Sequence, residues 1–473
     1  ENCCKLNKVE FDQNSELFSI GQNAFCNTSI TNISIPSSVY SIGKSSFSFC
    51  SKLKSFEISN KNEFCKIERL AFYGSLLTSL TIPSNGIMFS KEWCFGIWYL
   101  NNIIVTPSKK QEITFYDNKF IVAKSSPTSE DFDTLIFARR DINDTITIPK
   151  FIKQIHPYAF NFVKSKNIQF ADNSLIKKID KLSFANSFFE NITIPSSVTE
   201  IDQNAFFSTK NIKNFIFENN SQLHSINLNA FNSSILTSIK IPSSVKKIDQ
   251  FSFYRCKNLS EIEFEPNSKL NSIEKAAFCE SFIKKITIPS SATRIEQFAF
   301  YGCLNLQEVY FEPNSKLMII NESAFAYSNI KEIEVPSNVV YLESNAFLGC
   351  EKLEIVKFIQ NSSLKSIGSY AFAKTSINDI SIPSQVVLID DSAFYECTKL
   401  QNVCIPKDSE LKYIGIEAFV NTSISHFFLP KKVTQIDDYS FSSCQNLKTF
   451  ECDEDSELKI IGRDAFTESS IKK

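Results

Sequence analysis

Glycine is scarce in this 473-residue chain, at 10 residues, and histidine is scarcer, at three. The first shortage argues against flexible linkers and leaves no glycine-rich phosphate loop. The second leaves His156, His224 and His426 in no metal-ligand spacing and beside no nucleophile motif. A charge surplus is missing too. Lys and Arg number 50 against 52 acidic residues, a formal net charge of −2, so nothing marks a surface for phosphate backbones and nucleic acid is not expected as a partner. No run reaches the roughly 20 apolar residues that span a bilayer, and no basic-then-apolar leader opens the chain, so no membrane segment is expected here.

What abounds is phenylalanine, 45 residues in a chain that is 43% apolar. The phrase IPSSV recurs at 35–39, 194–198 and 241–245. Looser copies place prolines at Pro36, Pro83, Pro149, Pro195, Pro242, Pro289, Pro336, Pro383 and Pro430, and from Pro195 the step is always 47. A second marker, a small residue followed by Phe, runs from Phe25, Phe47, Phe72 and Phe95 through Phe160 to Phe466; from Phe184 onward its spacings alternate 22 and 25. Each 47-residue unit is therefore two unequal coils, each about as long as a leucine-rich repeat.

Within a coil, IKKITIP places Ile283, Ile286 and Ile288, and LQEVYF places Leu306, Val309 and Phe311. The last three positions alternate as a strand does, apolar inward and polar outward. A further apolar pair, such as Val245 and Ile248, precedes the Phe marker, which is expected on one helical or 3₁₀ turn. The apolar groups of one coil are too few to offset the entropy of ordering it, whereas stacked coils cover one another. Proline then ends the strand where its missing N–H breaks the ladder, and the serines cover the bend.

The fold class expected is a repeat solenoid: a right-handed leucine-rich-repeat superhelix of about 19 coils, with one long parallel β-sheet and short helical or 3₁₀ turns opposite. A single solenoid is expected over 1–473. The marker lapses between Phe95 and Phe160, and 108–143 is expected to be irregular. There, KFIVAK (119–124) and TLIFAR (134–139) flank the polar loop SSPTSEDFD (125–133) and read as a β-hairpin insertion patching the convex side. Cys3 stands before Leu6 as Cys50 stands before Leu53, and Ile471 would begin another strand. The expectation is a piece of a longer array, whose other parts hold a signal peptide or anchor.

Three residues past the marker, Cys50, Cys256, Cys303, Cys350, Cys397 and Cys444 occupy alternate coils, and Ser or Thr such as Thr28, Ser234 and Ser281 take the place in the others. A small donor at a tight bend serves backbone carbonyls. Sulfurs two coils apart would lie about 10 Å from each other, beyond disulfide reach, so buried free thiols are expected and the cysteine count does not reveal the compartment.

With proline, Ala-Phe and cysteine placed, the pattern LxxIxIPxxVxxIxxxAFxxC resembles the BspA-like, Treponema-type leucine-rich repeat family of surface proteins, over nearly the whole chain. The resemblance implies a secreted or cell-surface protein used in adhesion and host interaction, with extracellular-matrix or host-cell proteins as partners. The phrase FEPNSKL and the wealth of Asn, Lys, Ile and Phe are similar to protist members of that family.

Binding is expected on the outward residues of the strand stack, which form two columns. Tyr310 and Phe428 stand in one with Glu334 and Lys357; Ile355 and His426 stand in the other. These six are the candidate partner-binding residues, because aromatic anchors amid charge mark interface centres. Cys404 near His426 lacks a group to orient the base and an oxyanion site, so no catalytic residue, metal or cofactor is expected. Ten sequons (Asn27, Asn32, Asn143, Asn191, Asn219, Asn232, Asn258, Asn321, Asn361, Asn421) permit glycosylation outside the cell, though so Asn- and Ser-rich a chain produces nearly as many by chance. The reading is a non-enzymatic adhesion or host-protein-binding repeat protein; an intracellular interaction scaffold is the alternative.

Overall fold

A computed structural model describes residues 3–12, 14–108, 110–126 and 128–471. It divides into two compact units, Glu1–Leu223 and His224–Lys473. Both are parallel β-solenoids, about 19 turns in all. The alternating x-I-x-I phrases form a wide ladder. In the second unit this is a ten-stranded parallel sheet from Ser238–Ile241 to Thr449–Cys452. In the first unit it comes in two four-stranded pieces, Asn32–Ile35 to Asn102–Thr106 and Ile146–Ile148 to Asn214–Phe217. The sheet is therefore not one continuous element as the repeat implied. A second ladder of two-residue strands runs beside it, such as Ser225–Ile226 and Lys247–Ile248, and it comes from the apolar pair before each Phe.

The Ala-Phe segments correct a second expectation, for among the described residues they form no helix. Around Phe253, the N–H groups of Phe251, Phe253 and Arg255 donate to Lys275, Ala277 and Cys279 carbonyls of the next coil at 3.0, 2.7 and 2.9 Å. Those of Ser252, Tyr254 and Cys256 close i→i+3 turns within their own coil at 3.1 to 3.2 Å. Alternate N–H groups thus face the neighbour, which a helix, bonding only within itself, cannot achieve. The geometry requires a left-handed residue two before and two after the Phe, here Phe251 (φ 56°) and Arg255 (φ 55°). The same pair recurs at Ala276 and Glu280, and at Tyr370 and Lys374. Each such residue costs about 1–2 kcal/mol, and the inter-coil bond offsets about 0.5–1.5 kcal/mol of it.

The core is a column of rings. In the second unit, successive marker Phe centroids from Phe231 to Phe466 lie 5.1 to 5.5 Å apart with planes within 13°. Small residues precede the rings because the inward turn has no room for more; Ala277, Ala299 and Ala346 are fully buried. In the first unit the column slips at Phe95, which is half-exposed, and Trp93 is buried in its stead against Phe89 and Phe137.

That slip adjoins the insertion. Phe120–Ala123 pairs antiparallel with both Thr134–Ala138 and Ile113–Tyr116. Asp117 and Asn118 make the tight turn, both left-handed, and Lys119 N–H bonds Tyr116 O at 3.0 Å. Thr134–Ala138 also pairs parallel with Gln154–Ile155, which ties the insertion into the second ladder. Pro127 of the intervening loop lies outside the described residues. Arg140, buried at 2% exposure, follows these strands. Its guanidinium donates to the carbonyls of Ile97, Ala159 and Tyr158 at 3.4, 2.7 and 3.0 Å, and it lies 4.2 Å from the Phe137 ring centroid.

Candidate binding surface

The wide ladder of the second unit turns both outward columns to solvent, and register fixes their neighbours. Thr287 pairs with Tyr310, Glu334 with Lys357, and Glu332 with Ile355. Every second junction is looser: Glu308 and Glu332 are the only residues in register between their strands. The ladder opens there into a notch of about 100 Å³ lined by Glu308, Tyr310, Glu334 and Lys357 over Val309 and Ile333. Tyr310 and Ile355 are 49% and 44% exposed, large apolar surfaces in a charged setting. The Tyr310 hydroxyl donates to Glu308 Oε2 at 3.0 Å, and that carboxylate raises the phenol's pKa.

The six candidate residues form two patches. Tyr310, Glu334, Ile355 and Lys357 are contiguous. His426 and Phe428 stand three strands beyond Ile355, about 14 Å away at the usual strand spacing. Phe428 is half-buried, and His426 Nδ1 meets Thr449 Oγ1 at 2.7 Å. Asp379, Ser381, Asn402 and Cys404 occupy the strands between.

Chemistry is muted elsewhere. Among the described residues no group of His, Cys, Asp and Glu could hold a metal ion. The cysteine series is buried, each Sγ donating to the carbonyl of the preceding marker Phe at 3.0 to 3.1 Å and meeting a Ser or Thr hydroxyl at 3.2 to 3.5 Å. Burial pushes Cys256 to about 12 and Cys303, Cys350 and Cys397 to about 11, so they are neutral thiols near pH 7.

A second apolar surface escaped the sequence reading. On the turn side of the first unit, Phe49, Tyr73, Phe95 and the buried Tyr158 follow one another at 5.2, 5.4 and 4.4 Å between centroids, and exposed Trp98 meets Phe162 at 5.9 Å. The available signal was aromatic residues recurring one or two places from the marker Phe, positions that a helical turn would have scattered.

The model described as the BspA type leucine rich repeat region (6 copies) matches residues 1–101, 130–234, 224–354 and 365–473. A leucine-rich repeat protein from Bacteroides ovatus, known from its crystal structure, is 22% identical over 76% of this chain and 92% of its own, with a TM-score of 0.56, and shares the fold. The pneumococcal vaccine antigen PcpA (20% identity, 74% of this chain, 98% of its own, TM-score 0.40) is similar at a level that carries no argument. The same holds for a leucine rich cell surface protein from Faecalibacterium prausnitzii (18%, 73%, 96%, 0.34). No curated protein matches. These neighbours are bacterial and lend the protist assignment no support. Among the described residues no helix is long and apolar enough to cross a membrane. The unmatched stretch between 101 and 130 falls largely within the insertion, the Phe, Pro and Cys positions recur on either side of it, and the chain belongs to the BspA-type leucine-rich repeat family.

Proposed function

We propose that this is a non-enzymatic, cell-surface adhesion protein that holds a protein partner on the wide-ladder face of its second unit. The supporting observation is the exposed pair Tyr310 and Ile355, set on a ten-stranded scaffold and ringed by Glu308, Glu332, Glu334 and Lys357. Rigid strands hold the backbone in place, so binding orders side chains alone, and an aromatic anchor with a charged rim suits a protein surface. Among the described residues none of these four charged side chains enters an ion pair, so their charge is free for a partner. Host-cell or extracellular-matrix proteins are the partner class this reading names, and His426 with Phe428 form a second, smaller contact.

The test is capture from a host-cell surface extract by the purified chain and by its Tyr310→Ser/Ile355→Ser variant. Capture of a protein that the variant loses, with the thermal midpoint kept, supports the reading; equal capture by both removes this face from consideration. An intracellular scaffold is favoured by one observation: all 14 cysteines are free, four of them exposed (Cys3, Cys4, Cys404 and Cys452). Glycans on Asn258 or Asn361 of the native protein would decide against it.

A further inference from the structure

Two carboxylates face each other across the wide ladder of the second unit. Glu308 and Glu332 are in register on adjacent strands, and like charges so placed are destabilising. Nothing in the fold relieves them. Lys285 registers with Glu308, and Lys357 with Glu334, yet among the described residues neither lysine closes an ion pair. Alternation along each strand turns Tyr310 outward beside Glu308, and Glu334 outward beside Glu332. The four side chains thus mark a rectangle about 5 Å across the strands and about 7 Å along them. The chain as a whole carries a net charge of only −2, so the acidity is local.

The ladder opens on the far side of this rectangle. The notch of about 100 Å³ there has Val309 and Ile333, both buried, as its floor. At about 30 Å³ for each water it has room for about three waters, or for one small planar group. Its walls are an aromatic face and carboxylates, surroundings that suit a cation. A metal ion is not the fit, because among the described residues Glu308, Glu332 and Glu334 do not converge into a group that could hold one. A guanidinium carries donors along both edges, so it bridges carboxylates that stand too far apart to share an ion.

We propose that the notch receives an arginine of the partner protein, carried on a basic segment that lies across the wide ladder. This contact depends on the Tyr310 face being partner-binding, and it supplies that partner's chemistry. The guanidinium stacks on the Tyr310 ring, its N–H groups donate to Glu308 and Glu334, and its charge offsets the repulsion between Glu308 and Glu332. An apolar residue beside the arginine covers Ile355, which is 44% exposed. Lysine fits less well, since its ammonium has no flat face to lay on the ring, holds its water more tightly and cannot fork. An acidic segment is repelled.

Three labelled heptapeptides test this on the full chain: one of alternating arginine and valine, its lysine–valine counterpart and its glutamate–valine counterpart. The arginine peptide is expected to bind with affinity that falls as salt rises, and the lysine peptide about tenfold or more weakly, near 1.4 kcal/mol. The glutamate peptide is expected not to bind. Glu308→Gln/Glu334→Gln should weaken the arginine peptide by about tenfold or more. Tyr310→Leu keeps every charge and should erase most of the preference for arginine over lysine. These three positions are exposed, and the thermal midpoint of each variant checks that the fold is kept. No binding of the arginine peptide at millimolar concentration, equal affinity of the arginine and lysine peptides for the unaltered chain, or unchanged affinity in Glu308→Gln/Glu334→Gln would each overturn the inference. The face itself fails separately, by equal capture from host-cell extract with and without Tyr310→Ser/Ile355→Ser. A capture that this variant loses and Glu308→Gln/Glu334→Gln keeps would leave the face standing and overturn the arginine contact.

Discussion

Cys303 Sγ donates to the carbonyl oxygen of Phe278, one coil away, at 3.1 Å. The sulfur also meets Ser281 Oγ at 3.5 Å, and the Ser281 N–H donates to the same carbonyl at 3.0 Å, so thiol and backbone together serve it at a buried bend. The coil between Ser187 and Ser234 puts Thr209, also fully buried, at the cysteine position, so a hydroxyl is tolerated there. Cys303→Ser should therefore leave the thermal midpoint nearly unchanged. Cys303→Val, of similar size with no donor, should cost roughly 0.5–1.5 kcal/mol, the worth of one hydrogen bond, because the Phe278 carbonyl keeps the Ser281 N–H at 3.0 Å. Equal midpoints for the two variants would show the bond to be incidental.

The same burial sets a pH dependence. In the second unit Cys256, Cys279, Cys303, Cys350 and Cys397 are raised by desolvation from 9.0 to about 11 or 12. Folding thus favours the protonated thiol, and this contribution is whole below pH 9. Between pH 9 and 11 the unfolded chain releases these protons while the folded chain keeps them, so stability falls as pH rises, by up to about 1.4 kcal/mol per pH unit per thiol. A Cys303→Ser/Cys350→Ser/Cys397→Ser variant should lose stability less steeply over that window in denaturant titrations; an unchanged slope would refute the assignment. With a neutral thiol reagent near pH 8, Cys3, Cys4, Cys404 and Cys452 should react in the folded chain, and the buried sulfurs only on unfolding.

The period was legible because stacking demands the same ring at the same place in every coil; Phe278 and Phe300 can pile only if each coil repeats the spacing. The outward columns followed from strand alternation, which is why Tyr310 and Ile355 stand where the sequence puts them. The turns were not legible. Their left-handed positions hold asparagine or glycine in some coils, such as Asn229, Asn345 and Gly349, but Phe251, Tyr327 and Tyr370 in others, since the constraint comes from hydrogen bonds to the next coil and overrides local preference. Likewise nothing local marks the exchange of Phe95 for Trp93, or the use of the Asp180 carboxyl to accept the Ile155 N–H. Both depend on what the neighbouring coil fails to supply.

Those left-handed positions make an opposed pair of tests. Gly349 (φ 67°) and Lys374 (φ 59°) both sit two residues past a marker Phe. A Cβ on Gly349 would meet the Tyr327 ring at 2.7 Å, so Gly349→Ala should destabilise by roughly 1–3 kcal/mol from backbone strain and contact together. Lys374 is exposed, and its ion pair with Glu396 at 3.7 Å is worth little. Lys374→Gly relieves the strain and should stabilise, by at most about 1 kcal/mol after the glycine entropy cost. Midpoints moving in the same direction would mean that left-handed strain does not govern these turns.

Arg140 joins the insertion to the coils on either side. Ala159 O accepts both Ala138 N–H, at 3.0 Å, and the guanidinium, while Ile97 O and Tyr158 O each accept one further guanidinium N–H. Where the repeat lapses, a planar fork thus replaces the N–H groups that a regular coil would present, and Phe137 covers one face of it. Lysine keeps the charge and loses the fork. Arg140→Lys should therefore cost roughly 1–3 kcal/mol, since a buried cation would remain with fewer placed bonds, while Ala159 O and Tyr158 O keep the N–H groups of Ala138 and Asn161. The chain's two tryptophans, Trp93 and Trp98, both lie in the first unit, and Trp93 packs 5.7 Å from Phe137, so denaturation followed by tryptophan emission reads this unit directly. A midpoint that Arg140→Lys leaves in place would mean that the hairpin strands, and not the guanidinium, hold the broken ladder together.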